Sequence, residues 1–224
     1  MAEQRDNALL LRAIPYSDSS LILHCFTQHH GRISLMSRGA RRAKNLFRAS
    51  LMPMYQLQIR WKEPRTGSMG TLLEVQRLNP LLPEKLMLAG QSLIARASSL
   101  FPDGVEQGFD ELQHAFKTLA ERDETSGLTA AIWGMLEQGG WVGDFEHCWH
   151  CSEKIDFSES MAWYQAHLLC LDCAQNRGIK LVAGCRKSLF GHLNQPMIKP
   201  SVEHIKVWNN MIEAVLSSHQ ISKR

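Results

Sequence analysis

The 224-residue chain contains no run of about 18 apolar residues, so nothing in it reads as a membrane-spanning helix. Its first residues, MAEQRDNALLLRAIPYSD, have no basic segment followed by an apolar stretch of signal-peptide length, and the expectation is a soluble, cytoplasmic protein without a membrane partner. Catalytic signatures are missing as well. None of the ten histidines begins H-x-E or H-E-x-x-H, which removes the signatures of zinc deaminases and metalloproteases. There is no Gly-rich phosphate loop ending in Lys-Ser/Thr, no G-x-G-x-x-G and no G-x-S-x-G. Internal repeats and low-complexity tracts are absent too. What remains is ordinary globular composition, 44% hydrophobic and 21% charged, enough to bury a core without covalent staples.

Acidic residues are scarce in the first part of the chain. Residues 1–80 hold 12 Lys and Arg against 5 Asp and Glu, a net +7, which leaves 13 against 17, or −4, for the rest. A basic front part is the footprint expected for a polyanionic partner. The charge is densest in SRGARRAKNLFR (37–48), with Arg38, Arg41, Arg42, Lys44 and Arg48, and no acidic residue follows until Glu63. Cations at this density neutralise phosphates and release counterions, the source of most sequence-independent nucleic-acid affinity. Gly39 and Ala40 keep the backbone open, and Phe47 lies within reach of a stacking role. The competing reading is a solvated basic loop with no ligand.

From 8 to 78 the chain reads as five short strands: 8–14, 21–27, 32–39, 55–61 and 70–78. Ile33 and Leu35, then Leu57, Ile59 and Trp61, alternate as in strands with one face in a core. TQHHGR (27–32) reads as a hairpin turn in which Gly31 supplies the positive φ. Five such strands predict a small barrel of the OB type, a fold that commonly binds single-stranded nucleic acid. After NPLLP (79–83) the period becomes helical, with stripes at Leu86–Leu100, Val105–Leu119 and Leu128–Met135, separated by PDG (102–104) and DETSG (123–127). Further helices are expected near 184–193 and over about 201–217. The fold class is therefore α+β: an OB-like barrel at 1–80 and a helical domain at 81–224, with a cysteine knuckle inserted at 145–178.

Cysteine is used sparingly but pointedly. Four of the six form C-x2-C-x18-C-x2-C, as Cys148, Cys151, Cys170 and Cys173. Two such turns supply the tetrahedral thiolate shell that zinc prefers. Trp163 and Tyr164 in the insert are placed to form a strand between the knuckles. A catalytic zinc keeps one position open for water, and four thiolates leave none, so the metal reads as a structural staple. His147 and His150 are each able to replace a cysteine, although histidines beside a complete set of four are more often bystanders. Cys25 and Cys185 read as small core residues.

The segments PYSDSSLILHCFTQHHGRISLMSRGARRAKN (15–45), LMPMYQLQIRW (51–61) and GTLLEVQRL (70–78) resemble the amino-terminal domain of the bacterial recombination mediator family RecO. The likeness lies in a Ser/Asp-x-Ser-Leu stretch, a Thr-x-x-x-Gly-Arg hairpin and a Gly-Ala-Arg turn, in this order. The resemblance implies a non-enzymatic, monomeric, nucleoid-associated protein of DNA repair and recombination. Such a protein binds single- and double-stranded DNA and anneals complementary strands. It contacts the acidic tail of single-stranded DNA-binding protein and works with RecR to load RecA. Arg38, Arg41, Arg42 and Lys44 match the family's basic barrel surface, with Arg48 added on charge, and the four cysteines look like the ligands of zinc-binding members. The alternatives are a zinc-dependent nucleic-acid-processing enzyme and an interaction scaffold that does not bind DNA directly.

Overall fold

The strands β1 (Glu3–Tyr16), β2 (Ser20–Thr27), β3 (Gly31–Ser37), β4 (Tyr55–Lys62) and β5 (Met69–Pro80) close a barrel in the order β1-β2-β3-β5-β4. All neighbours are antiparallel except β3 and β5, and β1 shuts the barrel by pairing with β4 from Glu3–Lys62 to Leu9–Gln56. This is the OB-like barrel that the five short strands predict. The computed structural model describes residues 2–42, 47–64 and 67–221, in two units, 1–120 and 121–224.

Alternation along each strand decides what fills the barrel. Ala8, Leu10, Leu23, Cys25, Leu35, Leu57, Ile59, Trp61 and Leu72 share its core. Cys25 is one of these small core residues, and burial pushes its thiol up to about 12, far from reactivity. On the opposite side of β1 and β2, Leu9 and Phe26 are also buried, and Phe26 meets Phe101 edge-on with ring centroids 6.1 Å apart. The helices α2 (Met87–Leu100) and α3 (Phe109–Ala120) belong to the same unit, and a one-turn helix α1 (Phe47–Ser50) lies between β3 and β4.

The hairpin between β2 and β3 is as expected, with Gly31 at φ +61°. A second constraint acts there: a Cβ on Gly31 would stand 2.3 Å from the Val105 carbonyl oxygen. The next residue, Arg32, donates to the carbonyls of Ser98 (2.8 Å) and Phe101 (3.1 Å) and pairs with Asp103 at 2.7 Å. It therefore satisfies the open carboxy-terminal end of α2. The stripe beginning at Val105 is shorter than its periodicity implied. Gly104 and Gly108 take positive φ, and the helix starts at Phe109, where the Glu111 carboxylate accepts the Gly108 N–H.

In residues 121–224, α4 (Glu124–Gln138) begins inside DETSG rather than after it. Asp123 is its N-cap, accepting the Ser126 N–H, so this segment is the first turn of a helix and not a linker. The strands β6 (Met161–Tyr164), β7 (His167–Cys170) and β8 (Ile179–Leu181) form a small antiparallel sheet in the order β7-β6-β8, and α5 (Leu171–Ala174) carries Cys173. The chain ends in α6 (Cys185–Asn194) and α7 (Val202–Ile221). Trp133 of α4 joins these parts, with its ring centroid 5.4 Å from Trp163 of β6, 6.1 Å from Trp208 of α7 and 4.9 Å from Phe145. Arg186 of α6 is buried against Phe157 and donates to the carbonyls of Phe145 (2.9 Å) and Ile155 (2.7 Å). It thus fastens both ends of the first cysteine turn to α6.

Candidate functional site

Among the described residues, the predicted site residues fall in two candidate places, one in each unit. On the barrel, the turn after β3 lies beside the β1–β2 loop, held there by Arg41. The Arg41 amide donates to the Ser19 carbonyl (2.9 Å) and its guanidinium to the Ser17 carbonyl (2.9 Å). Between these loops runs an open groove of about 550 Å³ lined by Tyr16, Ser19, Ser20, Met36, Arg38 and Arg42. In OB barrels the β2–β3 face and the β1–β2 loop are where oligonucleotides lie. That face continues here through Ile22 opposite Met36, and through His24 hydrogen-bonded to the Ser34 hydroxyl at 2.9 Å.

The predicted basic residues divide by what they touch. The guanidinium groups of Arg38 and Arg42 are exposed and have no hydrogen-bond or ion-pair partner among the described residues. Arg41 has committed one donor to the loop it ties down. Lys44 lies outside the described residues. Arg48 falls in α1, within the basic segment. Phe47, expected within reach of a stacking role, is half-buried against the barrel core, whereas Tyr16 at the groove is 53% exposed. No periodicity marks Tyr16 in the sequence; only the pairing Tyr16–Ser20 brings it to the rim.

Other cations of the basic front part serve the fold. Arg60 bridges Glu3 and Glu74, Arg77 lies 4.8 Å over the Tyr55 ring, and Arg5 donates to Gln58 at 2.7 Å. At the far end of β1, buried Asp6 accepts from the His29 amide and both neighbouring imidazoles, at 2.8, 2.9 and 3.1 Å. Burial raises its pKa, and these bonds, with that from the Asn7 amide, outweigh burial and leave it below the ordinary aspartate value.

In the second unit the four predicted cysteine sulfurs, of Cys148, Cys151, Cys170 and Cys173, all lie within 4.8 Å of one another, with Cys151 and Cys170 4.0 Å apart. A tetrahedral thiolate shell with zinc–sulfur distances of about 2.3 Å has edges of about 3.8 Å, so the sulfurs fit such an ion with little movement. His147 is instead within 3.3 Å of the Asp144 carboxylate, and neither it nor His150 belongs to the cluster. The donor set also asks for a cation. Burial raises the Cys148 thiol, but amides of Cys151, Cys170 and His150 outweigh this and bring it to about 6, while the Cys170 sulfur and then burial push Cys173 up to about 12. One thiolate forms readily, a second beside it meets like charge, and a dication relieves the repulsion.

The described architecture is that of an OB-barrel protein with an appended helical unit carrying a four-cysteine knuckle. Residues 1–81 match the family described as "Recombination protein O N terminal". The DNA repair protein RecO of Acidithiobacillus ferrooxidans is 28% identical over 225 aligned positions, covering 96% of this chain and 83% of that protein. The RecO of Vibrio atlanticus is 30% identical over 167 positions (70% of this chain, 66% of the relative), and that of Vibrio vulnificus 33% over 154 (66% and 62%). The matches to the two Vibrio proteins span just under two thirds of their length. The chain belongs to the RecO family.

Proposed function

We propose that the chain is a non-enzymatic DNA-binding recombination mediator acting in DNA repair. Support for a repair role comes from its relatives, which are named DNA repair proteins. The observation that carries the DNA-binding reading is the barrel groove, where two unpartnered arginines, Arg38 and Arg42, flank an exposed tyrosine. Phosphates are met by the arginines, with Lys44 and Arg48 extending the charge, and a base stacks on Tyr16. Arg41 mainly keeps the two loops together. In this reading the barrel, 1–80, is the nucleic-acid-binding domain and 81–224 the helical domain that engages protein partners. Both single- and double-stranded DNA are bound, complementary strands are annealed, and the acidic tail of single-stranded DNA-binding protein and RecR are the contacts through which RecA is loaded.

Cys148, Cys151, Cys170 and Cys173 would hold zinc, which as a bound ion supplies a crosslink between two turns. Four thiolates close the shell, so the ion's role is structural. No described helix is long and apolar enough to cross a membrane, in keeping with the proposal that the chain works as a cytoplasmic, nucleoid-associated monomer. The test is single-stranded DNA binding over a range of salt. A mediator contacting phosphates gives a log-log slope of about −0.7 per contact, whereas binding that is absent or indifferent to salt refutes the proposal.

A further inference from the structure

Trp149, between the first two cysteines, is 66% exposed, whereas Trp133, Trp163 and Trp208 of the same unit are buried. Tryptophan left this open is uncommon in a folded surface. It is not loose. Its ring lies flat on His167 of β7, with centroids 3.9 Å apart and planes within 8°, and its amide donates to the Leu168 carbonyl at 2.8 Å. A cleft of about 190 Å³ is bordered by this pair, Tyr164, Leu169 and Arg177. Arg177 sits 5.4 Å over the Tyr164 ring and donates to the carbonyls of Ala174 (3.1 Å) and Cys173 (3.3 Å), which fixes its position. The hairpin that presents His167 turns through Gln165 and Ala166, both at positive φ without being glycine. Backbone in that region is strained, and such strain gathers at working surfaces.

We infer that the Trp149–His167 pair is a stacking platform for one base of a single-stranded nucleic acid, with Arg177 meeting an adjacent phosphate. This rests on the reading of the chain as DNA-binding, and adds a contact in the helical unit that is separate from the barrel groove. A flat, pre-stacked ring extends naturally by one more planar ring, and each base offers such a face regardless of sequence. Volume favours the same occupant: about 190 Å³ is smaller than the usual cavity for a larger ligand and suits a single ring system better than a length of peptide. The fixed guanidinium supplies the matching charge. Two of its donors are spent on carbonyls, and the rest of its edge is left for phosphate.

Binding of an oligodeoxythymidine strand and of an abasic strand of equal length to the full, zinc-loaded chain tests this. Trp149→Ala is expected to weaken oligodeoxythymidine binding about tenfold with the salt slope unchanged, and to leave abasic binding as it was. Arg177→Gln should flatten the slope by about 0.7 for both strands. Trp149→Phe keeps a ring and most of the affinity, but should lose the part of the DNA-induced fluorescence quenching that Trp149 contributes, a readout that serves even if the alanine variant folds poorly. Equal quenching of wild type and Trp149→Phe, or equal loss on both strands, overturns the inference. So does a Trp149→Ala variant that binds DNA normally but fails to bind an acidic peptide. If Arg38→Ala/Arg42→Ala leaves DNA binding intact while the Trp149 effect persists, the barrel reading fails and the platform stands.

Discussion

Arg38 and Arg42 are the two described cations at the barrel groove whose guanidinium groups are uncommitted, so removing both separates phosphate binding from folding. If each contacts one phosphate of a single strand, the double variant Arg38→Ala/Arg42→Ala lowers the salt slope by about 1.4. Counterion release then sets the loss at each ionic strength: ~15-fold at 0.15 M salt and ~65-fold at 0.05 M. Fluorescence anisotropy with a labelled single strand, titrated across salt, measures both quantities at once. Thermal unfolding of the variant should match wild type, because neither guanidinium is hydrogen-bonded to the fold. Arg41→Ala is the contrasting control: it also breaks the bond to the Ser17 carbonyl and should lower thermal stability as well as affinity. Parallel salt plots for wild type and the double variant would refute the placement of phosphates in this groove, however large the affinity change.

Chelation, or Cys148→Ser with Cys173→Ser, should reduce bound zinc from one per chain to none, shift the tryptophan signal of the second unit and remove no more of the salt slope than the share of about 0.7 assigned to Arg177; absence of zinc from protein prepared with the metal would refute the site. Gly31→Ala should cost about 2–3 kcal/mol in denaturant unfolding, because it places a Cβ against the Val105 carbonyl as well as at positive φ, and a near-neutral result would refute that packing. Asp6 has a lowered folded-state pKa, so its stabilisation is present above the unfolded value of about 3.9 and is lost as pH falls through the folded one. Asp6→Asn should therefore destabilise the barrel at neutral pH and flatten the acid limb of a stability–pH curve; an unchanged acid limb would contradict the hydrogen-bond account.

Much of this was legible because it depends on spacing along the chain. Alternating apolar residues reveal strands with one buried face, and Leu57, Ile59 and Trp61 do sit together in the barrel core. The two C-x2-C turns bring their sulfurs together because each turn is a local structure, and the intervening strands β6 and β7 need only pair. The start of α4 was locally encoded too, since Asp123 and Ser126 have N-cap spacing, but the polar run DETSG reads equally as a loop. The stripe from Val105 misled because helical period does not register the glycines that stop a helix on its amino-terminal side.

By itself, then, the sequence determined the strands, the hairpin glycine, the cysteine cluster and the concentration of positive charge. Tertiary structure alone decided which charges are available. Arg32 caps α2 from 66 residues away, Arg60 bridges two carboxylates and Arg41 ties loops, while Arg38 and Arg42 remain open; composition counts all five alike. The same holds for rings. Phe47 turns to the core, Tyr16 reaches the surface beside arginines through its pairing with Ser20, and Trp149 does so because its turn is bonded to Leu168 and its ring stacks on His167. Local periodicity follows from backbone geometry, but a side chain's partner depends on segments brought together only when the chain folds.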